Sequence, residues 1–74
     1  METLESSVGV SIKVDFLSWQ MTDWSLLDVT MPDGVSYSRR TSSLYFKATD
    51  AVTGLVTVGY DGSTVRSFNV SFTN

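Results

Sequence analysis

The chain has 74 residues, with eight acidic and five basic side chains, and its net charge is −3 at pH 7. Cysteine and histidine are both absent, which excludes disulfides, thiolate or imidazole metal sites, a cysteine nucleophile and a histidine general base. Because the basic residues are few and scattered, with only Arg39 and Arg40 adjacent, the charge pattern also argues against a nucleic-acid partner.

The N-terminal part of the chain divides into a polar segment and a first strand. Residues 1–7 are mostly polar and are predicted to be a flexible lead-in to a single β domain at 8–74. From Val8 to Phe16 every second residue is apolar, which predicts a strand. At Phe16 and Leu17 the apolar residues change face, and such a change is typical of a β-bulge or a bend.

The next segment predicts a short connection and a hairpin. Residues 22–25 favour a turn or one helical turn, capped by Thr22 or Asp23. The sequence LLDVTMPDGVSY, at 26–37, then has apolar residues alternating on both sides of Pro-Asp-Gly. Proline presets φ and glycine takes a left-handed conformation, so a hairpin with a three-residue loop at 32–34 is expected. Its apolar face contains Leu27, Val29, Met31, Val35 and Tyr37.

Three further strands are predicted from alternation, at 44–49, 55–60 and 64–72. The connection at 50–54 is expected to be a hairpin loop whose glycine adopts a positive φ. For the last turn we expect a three-residue loop at 60–62 rather than a two-residue loop. The longer loop places these apolar residues on one face: Val56, Val58, Phe68, Val70 and Phe72. The predicted fold is therefore all-β, an antiparallel meander of about six strands that forms a small barrel or sandwich.

Carboxylates are the only catalytic candidates that this composition leaves. Asp33, Asp50 and Asp61 fall in predicted turns, where aspartate is common because its side chain bonds the backbone. The sequence has neither the spacing of a calcium loop nor a phosphate-binding glycine pattern. We therefore predict a protein that is not an enzyme and that binds no cofactor or metal.

The apolar residues outnumber those that one core face requires, and contiguous exposed apolar patches usually mark interaction surfaces. The last strand is also predicted as a long edge, unless it pairs with the strand at 8–16 or with a neighbouring molecule. Trp19 and Trp24 would cap the open end of a barrel, contact a protein or stack on a sugar. The candidate interface residues are Leu17, Trp19, Met21, Trp24, Leu26, Phe68, Val70 and Phe72.

Two turn motifs resemble a known family. The segments DVTMPDG and TDAVTGLVTV, within residues 27–60, resemble the strand–turn–strand pattern of small β-sandwich modules in phage baseplate and tail-fibre proteins. The resemblance implies a structural or adhesive module that works in an oligomer, and it carries no catalytic residue. The leading hypothesis is a non-enzymatic structural or interaction β-module that self-associates, or joins a larger assembly, in a viral or phage particle.

Two alternatives remain open from the sequence. One is a carbohydrate-binding module that uses Trp19, Trp24 and a tyrosine; the other is an acidic inhibitor that occupies the basic groove of another protein. The sequence shows no signal peptide and no apolar run long enough to span a membrane, so no membrane partner is expected. Localisation stays open among the cytosol, a larger parent protein and a virion.

Overall fold

The fold, taken from a computed structural model that describes residues 1–16, 23–40 and 43–74, consists of two β-sheets. The described strands are β1 (Thr3–Ser7), β2 (Ile12–Asp15), β3 (Leu27–Thr30), β4 (Val35–Arg40), β5 (Ser43–Ala48), β6 (Val52–Tyr60) and β7 (Ser63–Thr73). One sheet has the order β1-β7-β6-β3 and the other the order β2-β5-β4. The predicted all-β fold is confirmed, as a small sandwich rather than a closed barrel.

The core lies between the two sheets and is built from the alternating apolar positions. Phe46 of the three-stranded sheet meets Phe68 of the four-stranded sheet edge-on, with ring centroids 5.6 Å apart, a favoured geometry for aromatic pairs. The buried apolar residues are Ile12, Val14, Phe16, Val35, Leu44, Phe46, Ala48, Val56, Val58, Phe68, Val70 and Phe72.

The prediction of a hairpin at 26–37 is wrong, because β3 and β4 belong to different sheets. β3 pairs with β6, and β4 pairs with β5. The turn itself is present: the Val35 N–H donates to the Pro32 carbonyl at 3.2 Å, and Gly34 has φ +90°. The same turn chemistry therefore carries the chain from one sheet to the other instead of folding it back within one sheet.

Gly54 was expected in a hairpin loop with a positive φ, and that prediction is also wrong. The residue lies inside β6, directly opposite Val70 of β7. Glycine suits this position because Pro32 packs against it: a Cβ atom added at Gly54 would lie 2.5 Å from Pro32 Cγ. The turn between the sheets therefore packs against β6 at a residue that has no side chain.

The last turn has two residues rather than the predicted three. Asp61 and Gly62 both have positive φ, 51° and 79°, and Tyr60 lies opposite Ser63. A register shift between Val58 and Gly59 adds one residue to β7, as a β-bulge does. The bulge restores the phase, so the five apolar residues predicted to share one face are all buried.

The N-terminal residues 1–7, predicted as a flexible lead-in, contain β1. This strand runs parallel to β7, from Thr3 opposite Asn69 to Ser7 opposite Thr73, so the sheets are not purely antiparallel. The strand predicted at 8–16 is shorter than expected, because Gly9 turns the chain with φ +86° before β2 begins. Val10, expected on the core face, is consequently exposed.

The position of β7 corrects the expectation that the last strand is an edge. β7 lies between β1 and β6, so its residues 69–72 are paired on both sides within the chain, and its second partner is β1 rather than the segment 8–16. The change of face expected at Leu17 falls outside the described residues. Among the described residues, no helix has the length and apolar character needed to span a membrane.

Candidate functional site

β4 is an exposed edge of the three-stranded sheet. It pairs with β5 along its whole length, and within the described chain no strand lies on its other side. Of its six residues only Val35 is buried. An edge of this kind leaves one row of backbone N–H and C=O groups available to another strand.

A short 3₁₀ turn, Trp24–Leu26, lies beside this edge. Asp23 caps the turn: its Oδ1 atom accepts hydrogen bonds from the Ser25 backbone N–H at 3.0 Å and from the Ser25 hydroxyl at 2.7 Å. Such side-chain acceptors satisfy backbone donors that the first turn of a helix leaves unpaired. The turn predicted near 22–25, with Asp23 as a possible cap, is present one residue further along the chain.

The hairpin between β6 and β7 fixes the position of this turn. The Asp23 N–H donates to the Tyr60 hydroxyl at 2.7 Å, and the Asp61 N–H donates to the Leu26 carbonyl at 3.1 Å. Trp24, between these two anchors, is half-buried and packs against the core. Its indole is therefore held on the four-stranded sheet while its other side faces β4.

A cleft of about 670 Å³ separates the 3₁₀ turn from β4. The Arg39 guanidinium lies 5.2 Å from the centroid of the Trp24 ring, within cation–π distance. Tyr37 packs beside Phe46, with centroids 6.3 Å apart, yet keeps 38% of its surface exposed. The lining residues are Asp23, Trp24, Ser25, Leu27, Tyr37, Ser38 and Arg39.

The carboxylate of the cleft, Asp23, is better suited to bind a ligand as an anion than to transfer a proton. The Ser25 hydroxyl, followed by the Ser25 backbone N–H, lowers the pKa of Asp23. On the outer face of the three-stranded sheet, the Ser43 hydroxyl, and to a smaller extent Lys13, lower the pKa of Asp15. Both groups are ionised at neutral pH, whereas a general acid or base works best with a pKa near the working pH.

Comparison with protein-family models, curated proteins and solved structures finds no match to this chain.

The predicted interface residues have three different positions. Trp24 lines the cleft, and Leu26 lies beside it with 41% of its surface exposed. Contrary to expectation, three are buried in the core, where no partner can reach their side chains: Phe68, Val70 and Phe72. The remaining three lie outside the described residues: Leu17, Trp19 and Met21.

Sequence reasoning missed a concentration of positive charge. Four of the five basic residues lie on the strands of the three-stranded sheet: Lys13, Arg39, Arg40 and Lys47. Seven of the eight acidic residues lie elsewhere: Glu2, Glu5, Asp23, Asp28, Asp33, Asp50 and Asp61. The basic residues come from separate segments of the sequence, so only the strand order places them on one sheet.

Proposed function

We propose that this chain is a non-enzymatic interaction module that associates with further copies of itself through the edge of β4. The observation that carries the proposal is the exposure of this strand: its five residues after Val35 are exposed, and among the described residues no strand pairs with its outer row of backbone groups. Strand addition to such an edge supplies main-chain hydrogen bonds, and the neighbouring side chains supply specificity. Association would also cover the exposed part of Tyr37.

β4 is favoured over the other three edges by length and chemistry. It has six residues, whereas β1 has five and β2 and β3 have four each. Among the four edges, β4 also carries an exposed aromatic side chain, Tyr37, and aromatic cross-strand pairs stabilise sheets. The small size of the domain further favours a partner, because so short a chain buries little apolar surface alone.

The proposal is tested by measuring mass and stability against concentration. Sedimentation equilibrium should show a monomer–oligomer equilibrium, and the thermal midpoint should fall over an about hundredfold dilution. Ser38→Lys, which places a charge on the β4 edge, should weaken association. Thr30→Lys is the matched control, since Thr30 is an exposed hydroxyl residue on β3, the edge of the other sheet. A monomeric mass with a constant midpoint would contradict the proposal.

Carbohydrate binding is the second candidate, and the cleft beside Trp24 favours it. Aromatic rings, a guanidinium and hydroxyl groups line this cleft, and sugar sites combine such flat apolar surfaces with a few polar groups. Binding to a glycan array that Trp24→Ala abolishes and Leu26→Ala retains would support this function. The acidic inhibitor and the viral setting stay predictions of the sequence.

A further inference from the structure

Charge is unevenly distributed along the β4–β5 strand pair. Arg39 and Arg40 lie at one end of β4. At the other end Val35 is paired with Ala48; Asp33 comes two residues before Val35 and Asp50 two residues after Ala48, and both aspartates are exposed. Four residue steps of extended chain separate Val35 from Arg39, a distance of about 13 Å, and Asp33 lies in the turn that precedes Val35. Lys47 of β5 lies opposite Ser36, near the aspartates. That end of the strand pair therefore has a net charge of −1, whereas Arg39 and Arg40 give the other end a charge of +2.

These charges have no ionic partners within the chain. Every charged side chain lies in the described residues, and their ion pairs are Lys13 with Asp15 and Arg66 with Glu2. Arg39 contacts the Trp24 ring and Arg40 contacts the Tyr45 ring. The guanidinium groups at one end and the aspartates at the other therefore remain available to a second molecule.

We propose that two copies of the chain pair their β4 strands in antiparallel orientation, so that the arginines of each copy lie beside the Asp33 turn of the other. This inference rests on the proposed self-association through β4. In an antiparallel pair the basic end of one strand meets the acidic end of the other, and the two-fold symmetry repeats the contact. A parallel pair would place like charges opposite each other, which is destabilising.

A register centred on Tyr37 fits these side chains. Tyr37 then lies opposite Tyr37 of the second copy, an aromatic cross-strand pair of the kind that stabilises sheets. Ser36 lies opposite Ser38, and Arg40 lies opposite Gly34, one residue from Asp33. No arginine faces another arginine. The two three-stranded sheets become one continuous six-stranded sheet across the dimer.

The test exchanges the charges at the two ends and measures the dimer dissociation constant by sedimentation equilibrium. Asp33→Arg makes the net charge less negative, so a simple relief of repulsion between copies would tighten the dimer. The proposed contact predicts the opposite, a dissociation constant that is higher by about threefold or more. Each exposed ion pair contributes modestly to the free energy of association, and the pair occurs twice in the symmetric dimer. Arg40→Asp should also weaken the dimer, whereas Asp33→Arg combined with Arg40→Asp should restore it.

Glu5→Arg is the control, because it changes the charge equally on β1, at an edge of the other sheet. Circular dichroism of each variant checks that it folds. Weakening by Asp33→Arg, no weakening by Glu5→Arg and recovery in the double variant would support the proposal. If Asp33→Arg dimerises as tightly as Glu5→Arg, or the double variant does not recover, the charge pairing is overturned while self-association stands. A monomeric wild-type chain would instead overturn the proposed function itself.

Discussion

The contact between Pro32 and Gly54 holds the connection between the sheets in place, and one added methyl group tests it. In Gly54→Ala the new Cβ would lie 2.5 Å from Pro32 Cγ and 3.0 Å from Pro32 Cβ. The ring cannot rotate away, because it belongs to a turn closed by the Val35 N–H and the Pro32 carbonyl. Either the turn or β6 must therefore shift.

The magnitude follows from two opposing effects. Overpacking of this kind costs about 1–3 kcal/mol, while replacing glycine by alanine in a strand gains about 0.5–1 kcal/mol. We expect a net loss of about 1 kcal/mol in the free energy of unfolding, from a domain whose total is about 3–5 kcal/mol. Urea unfolding measures it, as a lower midpoint with an unchanged slope.

Gly59→Ala is the matched control on the same strand. Its added Cβ would lie 3.4 Å from the nearest atom, the Asp28 carbonyl oxygen, which is an ordinary contact distance, so this variant should gain about 0.5–1 kcal/mol in the free energy of unfolding. Pro32→Ala should reduce the cost of Gly54→Ala when the two are combined, because it removes the atom that approaches most closely. If Gly54→Ala were as stable as Gly59→Ala, the turn would not lie on β6 and the path proposed between the sheets would be wrong.

Three other predictions concern the turns and the strand order. Gly34→Val should lower the free energy of unfolding by more than about 1 kcal/mol, because φ is +90° at this residue. Thr30→Lys, on the exposed side of β3, should lower it by less than about 0.5 kcal/mol. Urea melts that reverse this ranking would contradict the turn. The pKa of Asp23 is lowered in the folded chain, so its stabilising effect is complete above the ordinary aspartate pKa of about 3.9 and is lost as pH falls through the lower folded value. Acid unfolding of Asp23→Ala and wild type should therefore converge at low pH, and an undiminished difference there would argue against the cap. The amides of residues 69–72 should exchange more slowly than those of residues 36–40 in dilute monomer, because this part of β7 is paired on both sides and β4 is paired on one. Equal rates would contradict the strand order.

The sequence predicted which residues are buried better than it predicted which strands pair. Alternation over 44–49 and 55–60 correctly placed Leu44, Phe46 and Val58 in the core. Alternation reports only that one side of a strand is apolar, and it contains no information about the neighbouring strand. β3 therefore seemed to pair with β4 across a favourable turn, whereas its partner is β6, which lies much further along the chain.

The last turn shows how two local features can compensate. The Asp61-Gly62 loop is one residue shorter than predicted, and alone it would have placed Phe68 on the wrong face. The register shift at Val58 and Gly59 supplies the missing residue, so the predicted face is correct although the predicted loop is not. A bulge of this kind leaves no clear sequence signal, since any residue can be the unpaired one.

β1 was missed because little of its stability comes from apolar side chains. Its sequence, TLESS, has one apolar residue, Leu4, which packs against the core. The remaining attachment is a parallel ladder with β7, and backbone hydrogen bonds depend on geometry rather than on residue type. A polar segment can therefore be an ordered strand whenever a neighbouring edge needs a partner.

The charge pattern of the candidate site was also not predicted, because it depends on which strands are neighbours. The few, scattered basic residues of an acidic chain argued against a nucleic-acid partner, and the sequence alone did not show that four of them lie on one sheet. The register nevertheless places Lys13 opposite Tyr45, Ser36 opposite Lys47 and Arg40 opposite Ser43, so one sheet gathers residues that lie far apart in the sequence. The net charge gives only the average charge of the protein surface. Association depends instead on the charges within a Debye length of the contact, which is about 8 Å at physiological ionic strength. For β4, those charges include Arg39, Arg40 and Asp33, and their order along the strand favours an antiparallel partner.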